Sequence, residues 1–181
     1  LHKMGTAQSQ LLKANYYSKG TLIDDCVGAI VQTLKDRSLL DNTWIVFSSD
    51  HGEMLGEHGL LAKKVFYEGA VNVPCLFRPP NGQGQGSTDA LVNHLDIVAT
   101  LIDICGAAPL QDSPSQSIAP LLRGESATSH RQAVLSELGL PPSAFVMVRT
   151  NEHKLSADAK TREPIQPHAL AEDPAELPTP S

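Results

Sequence analysis

"WIVFSSDHGEMLGEHGLLAKKVFYEG", residues 44–69, runs from an unbroken apolar stretch straight into a carboxylate, an imidazole and a glycine, Asp50-His51-Gly52. Residues 44–48 read as a strand. An apolar run without alternation is the pattern of a strand buried on both faces, as in parallel sheets. Adjacent strand residues point to opposite faces, so Asp50 and His51 reach one ligand only where the strand ends and the backbone turns. Gly52 permits such a turn, and Gly56 and Gly59 let the following loop run close to a ligand.

A hard carboxylate oxygen and a borderline imidazole nitrogen suit a divalent ion such as Mn, Zn, Fe or Ca. Lys63 can present a point charge to an anionic group. The same residues also read as a capped strand end with solvated charges. His58 reads as an exposed loop histidine, and Glu53 and Glu57 as surface charges or acceptors for loop amides.

Working outward, Leu22, Ile23, Cys26, Val27, Ile30, Val31 and Leu34 form one stripe at helical spacing. The spacing predicts a helix from near Ser9 to near Arg37, then a turn at Asp41-Asn42. "VNVPCLFRPP" reads as a second strand ended by Pro79-Pro80, and "NGQGQGSTD" as a loop. A second helix is expected with Asp96 as N-cap, Gly106 just past its end, and a buried stripe of Ile97, Val98, Leu101, Ile102 and Cys105. "SIAPLLRG" reads as a short helix with Pro120 in its first turn and Gly124 after it. "QAVLSEL", "AFVMVRT" and "HKLSAD" read as antiparallel strands. The proline-rich "PHALAEDPAELPTPS" is expected to be irregular. The order predicts an α/β fold with a small antiparallel α+β unit appended, divided into residues 1–125 and 126–181. Ligands of open α/β sheets bind beyond the carboxyl ends of strands, where Asp50 and His51 stand.

Composition bounds the function. The chain has 181 residues, 41% of them hydrophobic, enough for a core. A net charge of −6 with no basic block disfavours nucleic acid as a partner. No apolar run approaches the roughly 20 residues that span a bilayer, so no membrane segment is expected. The start, "LHKMGTAQSQ", has no apolar stretch of signal-peptide type, and its opening Leu points to a fragment or a processed product. Cys26, Cys75 and Cys105 lack metal-ligand spacing and read as small buried hydrophobes.

The segment from "YYSKGTLIDDCVGAIVQTLKDRSLLDNTW" through "SSDHGEMLGEHGLLAKKVFYEGAVNVPCLFRPP", continued by "LVNHLDIVATLIDICG", "SIAPLLRGE", "MVRTNEHKL" and "EDPAEL", closely resembles the sulfatase family of the alkaline phosphatase superfamily. The resemblance covers most of the chain. It implies a partial alkaline-phosphatase-like sheet with flanking helices. Asp50 and His51 match the family's second pair of metal ligands. Lys63, twelve positions after His51, matches the lysine that holds the sulfate or phosphoryl oxygens, so Lys63 and His51 are the catalytic candidates. The Asp-His form resembles the branch containing phosphonate and phosphate ester hydrolases, choline-sulfatase-like enzymes and many arylsulfatases. A small sulfate or phosphate ester is the implied substrate, and Ca, Mn or Zn the implied ion.

The departures matter as much. The family's Cys/Ser-x-Pro-x-Arg motif, whose Cys or Ser becomes the formylglycine nucleophile, does not occur here, nor does the first pair of metal-binding aspartates. Asp24-Asp25 matches a later family helix and does not replace that pair. Val71-Asn72 stands where an Arg often precedes Val-Pro, and Ala99 where a Pro is usual. The resemblance therefore implies a C-terminal portion carrying half of a metal site, inactive alone. A sheet lacking its N-terminal strands leaves edges that invite pairing, and a homodimer or a non-catalytic assembly role is the accompanying expectation.

Overall fold

The structure, a computed structural model, describes residues 5–82, 86–125, 130–140 and 144–177. The chain divides into two compact units, Leu1–Gln83 and Gly84–Ser181.

The first unit opens with α1, Thr6–Asp36. Its early residues, Ala7, Gln8, Gln10, Leu11 and Leu12, are strong helix formers, and the Gln8 side chain accepts the Gly5 amide at 3.2 Å to close the first turn. Past the C-cap Arg37, Ser38 takes a left-handed φ of 55°. The Leu39 amide then reaches the Leu34 carbonyl at 2.8 Å, the bond that closes a Schellman end. The helix thus begins slightly before, and ends close to, the limits read from its spacing. Its stripe is not buried: no α1 residue is buried, and Leu22 and Ile30 are 63% and 61% exposed. Periodicity reports which face wants cover, and no layer of this unit faces it.

A 3₁₀ turn at Leu40–Asn42 leads into β1, Ile45–Ser48. After a long loop come one turn of helix, α2 (Glu68–Val71), and β2 (Cys75–Arg78). β1 and β2 pair antiparallel, Ile45 opposite Arg78 and Ser48 opposite Cys75. This corrects the reading of β1 as a strand buried on both faces: Phe47 and Leu76 are exposed. The apolar run encodes a demand for neighbours that a two-stranded ribbon does not meet. Arg78 ties the ribbon back to the turn, donating to the Leu40 carbonyl at 3.1 Å. Pro79-Pro80 ends β2 as expected, and Pro80–Gly82 forms a single 3₁₀ turn. The Gly-rich loop read over residues 81–89 lies partly, at 83–85, outside the described residues.

The second unit begins with α3, His94–Ile104, and α4, Ala119–Leu122. The N-cap of α3 is Asn93, not Asp96. The two form a reciprocal box, Asp96 N to Asn93 Oδ1 at 3.2 Å and Asn93 N to Asp96 Oδ2 at 3.1 Å. Asp96 and Thr100 are the buried residues of α3, whereas Val98, Leu101 and Cys105 are exposed, so the expected apolar stripe is overturned. Two polar side chains displace it because each closes a set of bonds. Asp96 Oδ2 accepts from Arg131 Nε at 2.7 Å, and Oδ1 from the Gln116 amide at 2.8 Å and a second Arg131 nitrogen at 2.5 Å. Thr100 Oγ1 accepts the Ile118 amide at 2.9 Å, joining α3 to the start of α4. Gly106 (φ 66°) and Gly124 (φ 71°) stop the two helices where the sequence placed them.

Strands β3 (Val134–Leu138), β4 (Phe145–Arg149), β5 (His153–Asp158) and β6 (Pro164–Ala169) form an antiparallel meander. The first three match expectation. β6 corrects it, since part of the proline-rich tail is a strand. Its two prolines are tolerated because β6 is an edge. The covered face carries buried Met147 and Lys154, and Lys154 pairs with buried Glu176 of the tail. Across the other face Leu135, Val148 and Leu155 stand in register and exposed. All three cysteines are exposed free thiols, not the buried hydrophobes expected: Cys26 rides the open face of α1, Cys75 the ribbon, and Cys105 the C-cap of α3.

Burial works against the Asp96 charge, but the Arg131 bond and the Gln116 and Asn93 amides outweigh it and hold its carboxyl below the usual range. A depressed pKa stabilises fully above the unfolded value, about 3.9, and that stability is lost as pH falls through the folded value. Asp96→Asn is therefore expected to cost on the order of 3 kcal/mol at pH 7, and progressively less as pH falls below about 4, in urea titrations of the two proteins.

Candidate active site

β1 ends at Ser48, and the chain then enters a loop, residues 49–67, that returns to α2. Backbone bonds close this loop on itself. Gly52 N donates to the Ala70 carbonyl at 2.8 Å, Met54 N to Ala62 at 2.9 Å, and Gly56 N to Leu60 at 2.8 Å. Met54 is fully buried inside it. Glu53 acts as the internal acceptor, its Oε1 taking the Ala62 amide at 2.5 Å and the Leu55 amide at 3.3 Å. That agrees with its reading as a loop acceptor. Positive φ at Leu55, His58, Ala62 and Lys64 shows how tightly the chain folds back. His58 stacks on Tyr67, ring centroids 4.0 Å apart and 9° from parallel, so it is a half-buried packing residue and not the exposed histidine expected.

The structure brings Asp50 and His51 together just past the strand end. Asp50 Oδ1 accepts the His51 amide at 3.0 Å, and Asp50 Oδ2 lies 3.3 Å from His51 Nε2. His51 Nδ1–H donates to the Gly52 carbonyl at 2.8 Å, which places the neutral ring's lone pair on Nε2. Asp50 is largely open and His51 partly so, with side chains 83% and 36% exposed. The turn after this pair is made differently from expectation. Gly52 is absent from the positive-φ residues. Glycine is needed there because a Cβ would overlap the Gly69 carbonyl oxygen and stand 3.3 Å from Ala70 Cα.

Two ligands each about 2.1 Å from one ion lie about 3.0–3.4 Å apart at tetrahedral to octahedral angles. The Oδ2 to Nε2 spacing and the Nε2 lone pair therefore fit a divalent ion held by both residues. Among the described residues no cluster of three or more His, Cys, Asp or Glu suits a metal. Lys63 lies exposed on the same loop, and no hydrogen bond or ion pair links it to Asp50 or His51. Sequence reasoning missed Gly69 and Ala70, the backbone on which Gly52 rests. A glycine after Glu68 was their one visible signal.

The Sulfatase family model matches residues 4–107, more than half of the chain. The chain belongs to the sulfatase family. A second model, N-sulphoglucosamine sulphohydrolase, C-terminal, matches residues 56–179 of this sulfatase-family chain. It is similar to choline-sulfatase of Rhizobium meliloti (strain 1021), 33% identical over 90% of this chain and 31% of that protein. It is also similar to arylsulfatase K of Gallus gallus, 34% identical over 92% of this chain and 33% of that protein. The chain thus spans about a third of the length of these relatives. Among solved structures it resembles BT4656 in complex with its substrate D-glucosamine-2-N,6-O-disulfate, with a TM-score of 0.84 and 26% identity over 97% of this chain and 38% of the other. It likewise resembles the phosphonate monoester hydrolase of Agrobacterium radiobacter, with a TM-score of 0.79 and 28% identity over 91% and 36% of the two chains. These neighbours support the α/β fold with its appended antiparallel unit.

If Glu53 organises the loop, its removal frees the amides it holds. Glu53→Ala is expected to speed hydrogen exchange at Ala62 by roughly tenfold or more, as loss of a charge-assisted bond implies, with exchange along α1 unchanged in the same experiment.

Proposed function

We propose that the chain is part of a metal-dependent sulfuric ester hydrolase and contributes the second half of its metal site. The observation that carries this reading is the convergence of Asp50 Oδ2 and His51 Nε2 at 3.3 Å, with Nδ1 committed to a backbone carbonyl. In this reading Asp50 supplies charge and a hard oxygen, and His51 a nitrogen whose orientation the Gly52 carbonyl fixes. A bound divalent ion, Ca, Mn or Zn, would supply Lewis-acid stabilisation of the charge that builds on the transferred group. Lys63 is assigned to the non-bridging oxygens of that group, where an exposed, flexible ammonium adds a second positive charge.

The reading also keeps residues 1–125 as part of the catalytic α/β domain and residues 126–181 as its small antiparallel subdomain. The chain carries no Cys/Ser-x-Pro-x-Arg sequence from which a formylglycine could arise. Without a nucleophile no covalent ester intermediate forms, so the isolated chain is proposed to be inactive. A phosphonate or phosphate ester is the second substrate class, favoured by the likeness to the Agrobacterium radiobacter enzyme. Among the described residues no helix is long and apolar enough to cross a membrane.

Mn²⁺ titration followed by NMR tests the site. Paramagnetic broadening is expected first at Asp50 and His51 and to vanish there in Asp50→Ala; broadening that leaves both residues untouched would refute the half-site. Assays with an aryl sulfate and an aryl phosphonate ester are expected to show no turnover above buffer. Turnover lost in Asp50→Ala would contradict the proposed inactivity and identify the substrate class.

A homodimer is proposed as well, supported by the exposed α1 stripe and the open row Leu135, Val148 and Leu155. Light scattering at micromolar concentration is expected to give twice the monomer mass; a monomer with a cooperative thermal transition would rule the dimer out.

A further inference from the structure

Gly52 is held on three sides. Its N–H donates to the Ala70 carbonyl at 2.8 Å, its carbonyl accepts His51 Nδ1–H at 2.8 Å, and its Cα rests against the Gly69-Ala70 backbone with no room for a methyl. The ledge itself is tightly set. A Cβ on Gly69 would stand 3.1 Å from Glu57 Oε2 and 3.5 Å from Met54 Sδ, and Met54 is fully buried and Ala70 nearly so. Gly52 therefore connects α2 to the imidazole through two successive peptide planes that meet at its hemmed-in Cα. Rotation about the φ or ψ bond of Gly52 would break the Ala70 bond or withdraw the acceptor from Nδ1.

We infer that Gly52 and Gly69 are positioning residues for His51: their backbone crossing fixes the Nδ1–H tautomer and aims Nε2 toward Asp50. This rests on the reading of His51 as a metal ligand. It adds that the Gly52 carbonyl, held by packing against α2, sets the ligand's tautomer against the pull of the Asp50 carboxylate on Nε2. A metal-ligating histidine whose second nitrogen is held by a backbone carbonyl loses affinity when that acceptor moves, by about 10–100-fold.

The test is ¹⁵N NMR of the histidine rings in the full chain, at a pH where imidazole is neutral, with Mn²⁺ broadening as the second readout. The unsubstituted chain is expected to show His51 as the Nδ1–H tautomer. Gly52→Ala is expected to mix the two tautomers and to need at least about tenfold more Mn²⁺ for the same broadening. Should Gly52→Ala fail to fold, Gly69→Ala decides the matter, because its added methyl, 3.1 Å from Glu57 Oε2 and 3.5 Å from Met54 Sδ, presses on the ledge under Gly52 without overlapping any backbone atom. Gly69→Ala is expected to shift the tautomer ratio in the same direction with the fold retained. Gly28→Ala, with open space around its Cβ, is expected to match the unsubstituted chain in both readouts. An unchanged tautomer in the folded glycine variant overturns the inference. Absence of Mn²⁺ broadening at His51 in the unsubstituted chain overturns the ligand reading, and the tautomer measurement still judges the positioning role separately.

Discussion

Everything at the candidate site depends on one backbone crossing, where Gly52 meets Gly69 and Ala70. β1 delivers the chain to this point, and the loop over residues 49–67 has to return to it. The crossing closes that loop with the Gly52 to Ala70 bond and buries Met54 beneath it. It also leaves the Gly52 carbonyl in reach of His51. Two exposed, mobile side chains would otherwise gain little by lying adjacent. With Gly52 holding the His51 ring, Asp50 Oδ2 and His51 Nε2 lie 3.3 Å apart.

The second unit shows the same economy with charge. Its interior is organised around Asp96, bonded to Asn93, Gln116 and Arg131, with the His130 ring 3.3 Å from its Oδ2. A second buried pair, Lys154 and Glu176, fastens the tail under the sheet. Buried ions are retained only where most of their bonding capacity is used, and Asp96 uses both oxygens. Such groups fix register and connection, because no shifted arrangement of α3 and the following chain would satisfy them.

The elements whose signals are local were legible from the residues. Gly106 and Gly124 stop helices because the left-handed conformation costs glycine nothing, and the alternating strands β3 to β5 follow from period-two patterning. Asp50 and His51 were legible as neighbours for the same reason: adjacency at a strand end sets them side by side. What failed was inference about burial. The stripes of α1 and α3 have helical periodicity, yet Leu22, Ile30, Val98 and Leu101 are exposed. A stripe states that a face is apolar; it does not supply the layer that covers it. Asp96 was mistaken for an N-cap because its link to Arg131, thirty-five residues away, leaves no local trace. Gly52 was read through its dihedral freedom, when the constraint is steric contact with a backbone distant in sequence. β6 was missed because prolines argue against strands except at an edge, and edges are decided by topology.

The account stands on Asp50 and His51 sharing one ion. The most direct measurement is anomalous diffraction from crystals soaked in Zn²⁺. The account predicts a peak about 2.0–2.2 Å from both Asp50 Oδ2 and His51 Nε2, with Nδ1 still on the Gly52 carbonyl. A peak bound to His51 through Nδ1, or Zn²⁺ held elsewhere while Asp50 and His51 stay bare, would contradict it.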